Sequence, residues 1–224
     1  MATRANKIFS DPEASRYVWG IGFHGYGDPR YETWPHPIGQ VCFENPGRVH
    51  NAYPEKHIFM TEFCQEGGPH LGDWSLMERY AEYIIHDLNN FTEAWIDWNL
   101  VLNEDGGPNH AGNMCSAPIL VDAAKSRVYL QPSYYAIAHF SRYIRPGAIH
   151  LQSACTKDNL LSTSFFNPDD GTVVTVVLNQ ADLPMDIAIQ YFGQYAADSK
   201  IEPHSIRTFV FSLDPGASSR HASS

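Results

Sequence analysis

His57-Ile-Phe-Met-Thr-Glu-Phe-Cys-Gln-Glu-Gly-Gly68 is the stretch on which the fold turns: an apolar run ends in an acidic residue and then in a glycine-rich exit. Two further runs share this form, Tyr17-Val-Trp-Gly-Ile-Gly-Phe23 and Ala94-Trp-Ile-Asp-Trp-Asn-Leu100. Continuous apolar character suits parallel strands covered on both faces. The runs end in His24-Gly25-Tyr26, in Glu62 and in Trp98-Asn99, and from His24 to Glu62 to Trp98 the steps are 38 and 36 positions. That spacing fits one strand and one crossover helix per unit. Three consecutive β/α units are therefore expected.

Between the second and third runs, Leu76, Met77, Tyr80, Ile84, Ile85 and Leu88 recur at helical spacing, which predicts a helix over Trp74–Asn90 with Asp73 as N-cap. A second helix is predicted over Ser133–Tyr143, with Ile137, Phe140 and Ile144 on one stripe, ending before Pro146-Gly147. The Pro- and Gly-rich segment 30–54 offers only a short helix near Arg48–Ala52. Asn103-Glu-Asp-Gly-Gly-Pro-Asn-His-Ala-Gly-Asn113 is too polar and Gly-rich for regular structure and is read as a functional loop.

Beyond Arg145-Pro146-Gly147 the texture changes. Strands are expected at Leu160–Phe166, Thr172–Asn179, Met185–Gln190 and Ser205–Phe211, with a turn at Asn167-Pro-Asp-Asp-Gly171. The fold class is thus α/β followed by all-β. Residues 1–147 form the β/α part, 148–214 a small antiparallel β-sandwich, and 215–224 a disordered tail.

Composition narrows the function. The chain has 224 residues, 15 Lys+Arg, 25 Asp+Glu and a formal charge of −10, so no nucleic acid or anionic membrane is expected as a partner. No apolar stretch is long enough to span a bilayer, and the opening Met-Ala-Thr-Arg-Ala-Asn-Lys-Ile carries no signal region, so the chain reads as soluble. The four cysteines, Cys42, Cys64, Cys115 and Cys155, form no C-x-x-C pair and are expected as free thiols. Eleven histidines show no metal-ligand spacing, and Glu66-Gly67-Gly68-Pro69 lacks the ending of a phosphate loop; neither metal nor cofactor is expected.

In β/α barrels the chemistry sits at the carboxyl ends of the strands, which selects Glu62. A carboxylate there serves as nucleophile or acid/base in glycoside hydrolysis, or else as a salt-bridge partner in the barrel mouth. His24 and Tyr26 can hydrogen-bond a carboxylate or a sugar hydroxyl, Trp98 offers a flat face to a pyranose, and Asn113 is a further candidate. A lone His or Trp at such a place is more often structural.

Tyr17–Tyr26, Thr61-Glu-Phe-Cys64, Ala94–Leu100, Gly106-Gly-Pro-Asn-His-Ala-Gly-Asn113 and His139–Gly147 together resemble glycoside hydrolase family 30, the glucosylceramidase family, and Val173–Asn179 and Pro203-His-Ser-Ile206 resemble its appended sandwich. The likeness runs in order from about Ala5 to Leu213. It implies the last three β/α units of a (β/α)₈ TIM barrel, with Glu62 as the nucleophile of a retaining mechanism and His24, Tyr26, Trp98 and Asn113 lining the sugar site. The implied substrate is glucosylceramide or another β-glucoside. A β-xylosidase or β-1,6-glucanase of the same family, and a non-catalytic sugar-binding or assembly module, are the alternatives. Two positions depart from the family pattern: Gly25 and His110 stand where it commonly has Trp.

The family's general acid/base belongs to the fourth strand and has no counterpart here; Glu66, Glu93 and Glu104 match no family position. A full barrel takes about 250 residues, so a complementary chain carrying the other strands is expected as a partner, and activity of this chain alone is doubtful. Members of the family are commonly secreted or lysosomal, and Asn90-Phe-Thr92 is a weak glycosylation sequon.

Overall fold

The computed structural model describes residues 1–26, 28, 30, 42–191 and 194–212. The expected tail, 215–224, and much of the Pro- and Gly-rich segment after Arg30 lie outside the described residues. The chain divides into two compact units, one comprising residues 1–76 and 86–134, the other 77–85 and the chain from Tyr135 onward.

The first unit holds three parallel strands in the order β1 (Gly20–His24), β2 (His57–Glu62) and β3 (Ala94–Trp95). On β2, Ile58 and Met60 are buried while Thr61 between them and Glu62 is exposed. Gly20 is required where β1 meets β2, because a Cβ there would stand 2.3 Å from the His57 carbonyl oxygen. Two helices that sequence reasoning missed precede the sheet, α1 (Ala2–Phe9) and α2 (Pro12–Ser15). Ala5 and Phe9 of α1 are buried in one cluster with Ile58 and with Val49 of α3 (Glu44–Ala52). In α2, Pro12 opens the helix and the Asp11 carboxylate accepts the Glu13 and Ala14 N–H groups at 2.9 and 3.2 Å.

The helix expected over Trp74–Asn90 is α4 (Ser75–Asn89); its N-cap is Trp74 and not the expected Asp73, which instead accepts both the Ser75 N–H and the Ser75 hydroxyl, at 3.0 and 2.7 Å. The third strand is shorter than expected. Only Ala94 and Trp95 pair in register with β2; beyond them the chain keeps pace through single bonds, Ile96 N–H to the Met60 carbonyl and Trp98 N–H to that of Phe63. Apolar side chains are thus continued past the point at which the backbone ladder stops.

The Gly-rich loop is more regular than its composition suggests. It starts in β4 (Val101–Asn103), which pairs in parallel with β5 (Ile119–Asp122), itself antiparallel to β6 (Arg127–Leu130). Asn103 closes the turn, its Oδ1 accepting the N–H groups of Asp105 and Gly107 at 3.1 and 2.7 Å. Gly106 has φ +84°, and a Cβ there would lie 2.4 Å from the Cys115 carbonyl oxygen, so glycine alone fits. Helix α5 (Pro132–Ser141) replaces the expected Ser133–Tyr143.

In the second unit β7 (Ile149–Leu151), β8 (Leu160–Asn167), β9 (Thr172–Asn179) and β12 (Ser205–Ser212) form an antiparallel sheet in the order β12-β9-β8-β7, and β10 (Met185–Tyr191) pairs with β11 (Gln194–Ile201). Four expected strands are present within a residue or two, while β7 and β11 escaped sequence reasoning. β9 is buried along almost its whole length, as its unbroken Val-Val-Thr-Val-Val-Leu requires. In the β8–β9 turn Gly171 takes φ +70°, and Asn167 donates through Nδ2 to the Tyr143 carbonyl at 2.9 Å.

Candidate active site

The site is built at the carboxyl ends of β1 and β2. The pairing register slips between Phe23 and His24, so His24 stands opposite Glu62 and not Thr61. The Gly25 N–H then donates to the Glu62 backbone carbonyl at 3.2 Å, carrying the chain past the strand end toward Tyr26. The bulge aims both side chains at the carboxylate. Tyr26 donates its hydroxyl proton to Glu62 Oε1 at 3.1 Å, and His24 Nδ1 lies 3.6 Å from the same oxygen.

Glu62 is a quarter exposed and His24 about half, which leaves the carboxylate reachable from solvent. Tyr26 packs face to face with Phe63, their ring centroids 6.2 Å apart. Burial above all, then the Cys64 thiol and the Glu62 carboxylate, push the Tyr26 phenol well above its ordinary pKa. It stays protonated and so remains a donor. Its hydroxyl also lies 3.5 Å from Cys64 Sγ, but it has one proton to give, and the carboxylate is the nearer and stronger acceptor.

The other two expected residues are tethered to the segment that follows Glu62. Trp98 donates its backbone N–H to the Phe63 carbonyl at 2.9 Å, and its side chain is 46% exposed. Asn113 donates through Nδ2 to Glu66 Oε1 at 2.8 Å, and its backbone N–H is held by Asn109 Oδ1 at 3.2 Å. Glu66 also forms an isolated antiparallel bridge with Cys115. The structure therefore brings His24 and Tyr26 directly onto Glu62, and ties Trp98 and Asn113 to residues one and four positions beyond it.

Two participants were missed as such by sequence reasoning, Cys64 and the Glu66 partner of Asn113. The Phe-Cys-Gln-Glu run after the strand was visible, but the pairing of Glu66 across 47 positions had no signal in spacing or periodicity. Glu93 belongs elsewhere: its Oε2 is 2.7 Å from His57 Nδ1, at the amino end of β2, roughly 16 Å of extended strand from Glu62. Among the described residues no cluster of three or more His, Cys, Asp and Glu side chains is placed to hold a metal ion.

Parallel strands joined by helices, a carboxylate at the end of the middle strand with a tyrosine donor on it and an imidazole beside it, and an antiparallel sandwich beyond define the barrel-plus-sandwich class. The Glycosyl hydrolase family 30 TIM-barrel domain matches residues 1–144 and the Glycosyl hydrolase family 30 beta sandwich domain residues 147–209. The chain belongs to glycosyl hydrolase family 30.

It is 34% identical over 217 residues to the lysosomal acid glucosylceramidase of Mus musculus, covering 92% of this chain and 39% of that protein. The crystal structure of SrfJ from Salmonella typhimurium superposes with a TM-score of 0.82 at 28% identity, over 94% of this chain and 44% of that one. An endo-β1,6-glucanase structure does so with a TM-score of 0.76 at 26% identity, over 94% and 45%. The chain thus spans about two-fifths of the length of the curated relatives it matches.

Proposed function

We propose that Glu62 is the nucleophile of a retaining β-glucosidase of the glucosylceramidase type, acting on glucosylceramide or a related β-glucoside. The observation that carries this reading is the convergence of the Tyr26 hydroxyl and the His24 imidazole on Glu62 Oε1. The donor on Oε1 fixes the direction of the carboxylate, and the exposed quarter of the side chain leaves it open to an anomeric carbon. Attack gives a glycosyl ester, which water then hydrolyses. Trp98 would stack under the sugar ring and Asn113 would bond a sugar hydroxyl.

Retaining hydrolysis requires a second carboxyl group about 5 Å from the first. Glu93 sits at the wrong end of the strand and Glu66 is engaged by Asn113. We therefore place the acid/base outside these 224 residues, on strands that complete the barrel. A β-1,6-glucan is the second reading of the substrate, favoured by the likeness to an endo-β1,6-glucanase structure. Gly25 and His110, standing where the family commonly has Trp, offer no indole surface to either aglycone.

A mechanism-based 2-fluoro-glucoside with a good leaving group needs no acid catalyst and tests the reading directly. The chain, alone and combined with the other strands of a family barrel, is incubated with it and mapped by mass spectrometry. Labelling at Glu62, absent in Glu62→Gln, is the expected result. An unlabelled Glu62 in the completed barrel would sink the nucleophile assignment, and sugar binding without label would leave a binding module.

A further inference from the structure

Cys64 lies two residues beyond Glu62 and shares a buried cluster with Cys115, Leu102, Ala117 and Leu120, against Tyr26 and Tyr129. The backbone brings the two cysteines together. Glu66 bridges Cys115 in antiparallel fashion, and the Ser116 N–H donates to the Gln65 carbonyl at 2.8 Å. Side chains alternate along such a pairing, so Cys64 and Cys115 fall on the same face. The two thiols act on each other, Cys115 pushing the Cys64 thiol up and Cys64 pulling the Cys115 thiol down. The outer ends of this sulfur pair are also held: the Tyr26 hydroxyl is 3.5 Å from Cys64 Sγ, and Cys115 Sγ lies 3.5 Å from the Asn113 carbonyl oxygen.

The other two cysteines have partners of a different kind. Cys42 Sγ is 3.2 Å from a Glu44 carboxylate oxygen, and Cys155 Sγ is 3.2 Å from the Ser162 hydroxyl. All four are free thiols. Two thiols on one face of an apolar cluster, one flanked by the hydroxyl that serves the proposed nucleophile and the other by the backbone of Asn113, form a site with its own chemistry.

We propose that Cys64 and Cys115 are a reversible dithiol–disulfide site, oxidised by hydrogen peroxide. Cys115 reacts first, because neighbouring Cys64 pulls its thiol down, whereas Cys115 and then burial push the Cys64 thiol up. The Cys115 sulfur attacks one peroxide oxygen, the O–O bond breaks, and a sulfenic acid and one water result. Cys64 sulfur then displaces the hydroxyl, forming the S–S bond and a second water. Two thiol protons and two electrons pass to the peroxide, whose oxygens leave as water.

Forming the bond draws Cys64 Sγ toward Cys115 and away from the Tyr26 hydroxyl, the donor to Glu62. Oxidation is thereby coupled to the carboxylate. This coupling rests on Glu62 being the nucleophile, whereas the disulfide itself does not.

The full chain is reduced, exposed to graded hydrogen peroxide, quenched with an alkylating reagent, digested without reductant and mapped by mass spectrometry. The expected product is a Cys64–Cys115 cross-linked peptide from a monomer lighter by two hydrogens. It should revert with dithiothreitol and be lost in Cys115→Ala, with Cys42 and Cys155 still alkylated. Cys115→Ser serves as second variant should the smaller side chain loosen the cluster.

Sulfinic acid at either residue without the cross-link overturns the proposal. So does a cross-link formed only after denaturation, or oxidation of Cys42 and Cys155 while Cys64 and Cys115 remain alkylatable. Fluoro-glucoside labelling of Glu62 in the completed barrel, before and after oxidation, separates the two readings. A slower label after cross-linking supports the coupling; a cross-link in a barrel that never labels retires the nucleophile and leaves the thiol site standing.

Discussion

At Glu62 the decisive contact is one hydrogen bond. Tyr26 holds Oε1 at 3.1 Å from a ring kept protonated by burial, so its removal acts on the carboxylate without altering the strand. A hydrogen bond to a charged group is worth about 1.5–3 kcal/mol, and part of that is regained from water at a site one-quarter exposed. Tyr26→Phe should therefore slow labelling of Glu62 by roughly tenfold in the completed barrel, 1.4 kcal/mol being a factor of ten. Unchanged circular dichroism would show that the fold is retained, and an unchanged labelling rate would remove Tyr26 from the site. Glu62, His24 and Tyr26 were legible in the sequence because a polar residue directly after an apolar strand must lie at its end. The Glu66–Asn113 bond was not, since each residue sits in a glycine-rich stretch where no period fixes the direction of a side chain.

At the scale of elements, two buried or bridged titratable groups pull stability toward acid. Asp87, in the last turns of α4, is 3% exposed; burial pushes its carboxyl up to about 7, opposed by the Trp95 indole N–H that it accepts at 3.2 Å. The folded state thus binds a proton that the unfolded chain releases near pH 4. The stability this proton gives is full below about pH 4 and is lost as pH rises to about 7. Asp87→Asn keeps an acceptor for Trp95 and should stabilise the protein at pH 7.5 by on the order of 2 kcal/mol, flattening the slope between pH 4.5 and 7. In the second unit His204 is raised by the Asp182 carboxylate, 2.9 Å from Nε2, and by Glu78, 2.6 Å from Nδ1. Its contribution is complete below the ordinary histidine range and disappears as pH rises through the raised value, so His204→Gln should remove the alkaline part of the slope. Thermal melts of both variants against pH check the pair, each read as its difference from wild type, since His139 and His150, held down by burial, push the wild-type slope the other way; a difference that stays constant from pH 5 to 8 would contradict that residue's assignment. Each group biases its unit toward mildly acidic conditions.

Elements differ in how well their sequences announced them. Helix α4 and strand β9 were read almost to the residue, because fifteen residues of helical period and an unbroken β-branched run admit one interpretation. Strand β3 was overread for the opposite reason: Ala94–Leu100 is apolar throughout, and apolarity does not reveal where hydrogen bonding stops. The short sheet β4-β5-β6 was missed because three- and four-residue strands are shorter than any window in which alternation can be counted.

For the molecule as a whole, the open question is what covers the three-stranded sheet. In the order β1-β2-β3, the two outer strands each have one neighbour among the described residues. Trp19, Ile96 and Leu100, flanking these strands, expose 61, 46 and 66% of their surface. Apolar side chains beside unpaired strand edges drive association, while a formal charge of −10 opposes it by mutual repulsion. Salt decides which wins: at 0.1 M the screening length falls to about 10 Å, short enough to remove repulsion between whole molecules but not contact between apolar faces. The chain should therefore sediment with a mass that increases with protein concentration, more steeply at 0.5 M than at 0.05 M sodium chloride. It should also bind a hydrophobic dye that is displaced when the other barrel strands are supplied. Short edges temper the effect, since β3 offers only two paired residues and β1 contains two glycines, Gly20 and Gly22. A monodisperse monomer at every concentration and both salts, with no dye bound, would mean that the sheet needs no cover from further strands.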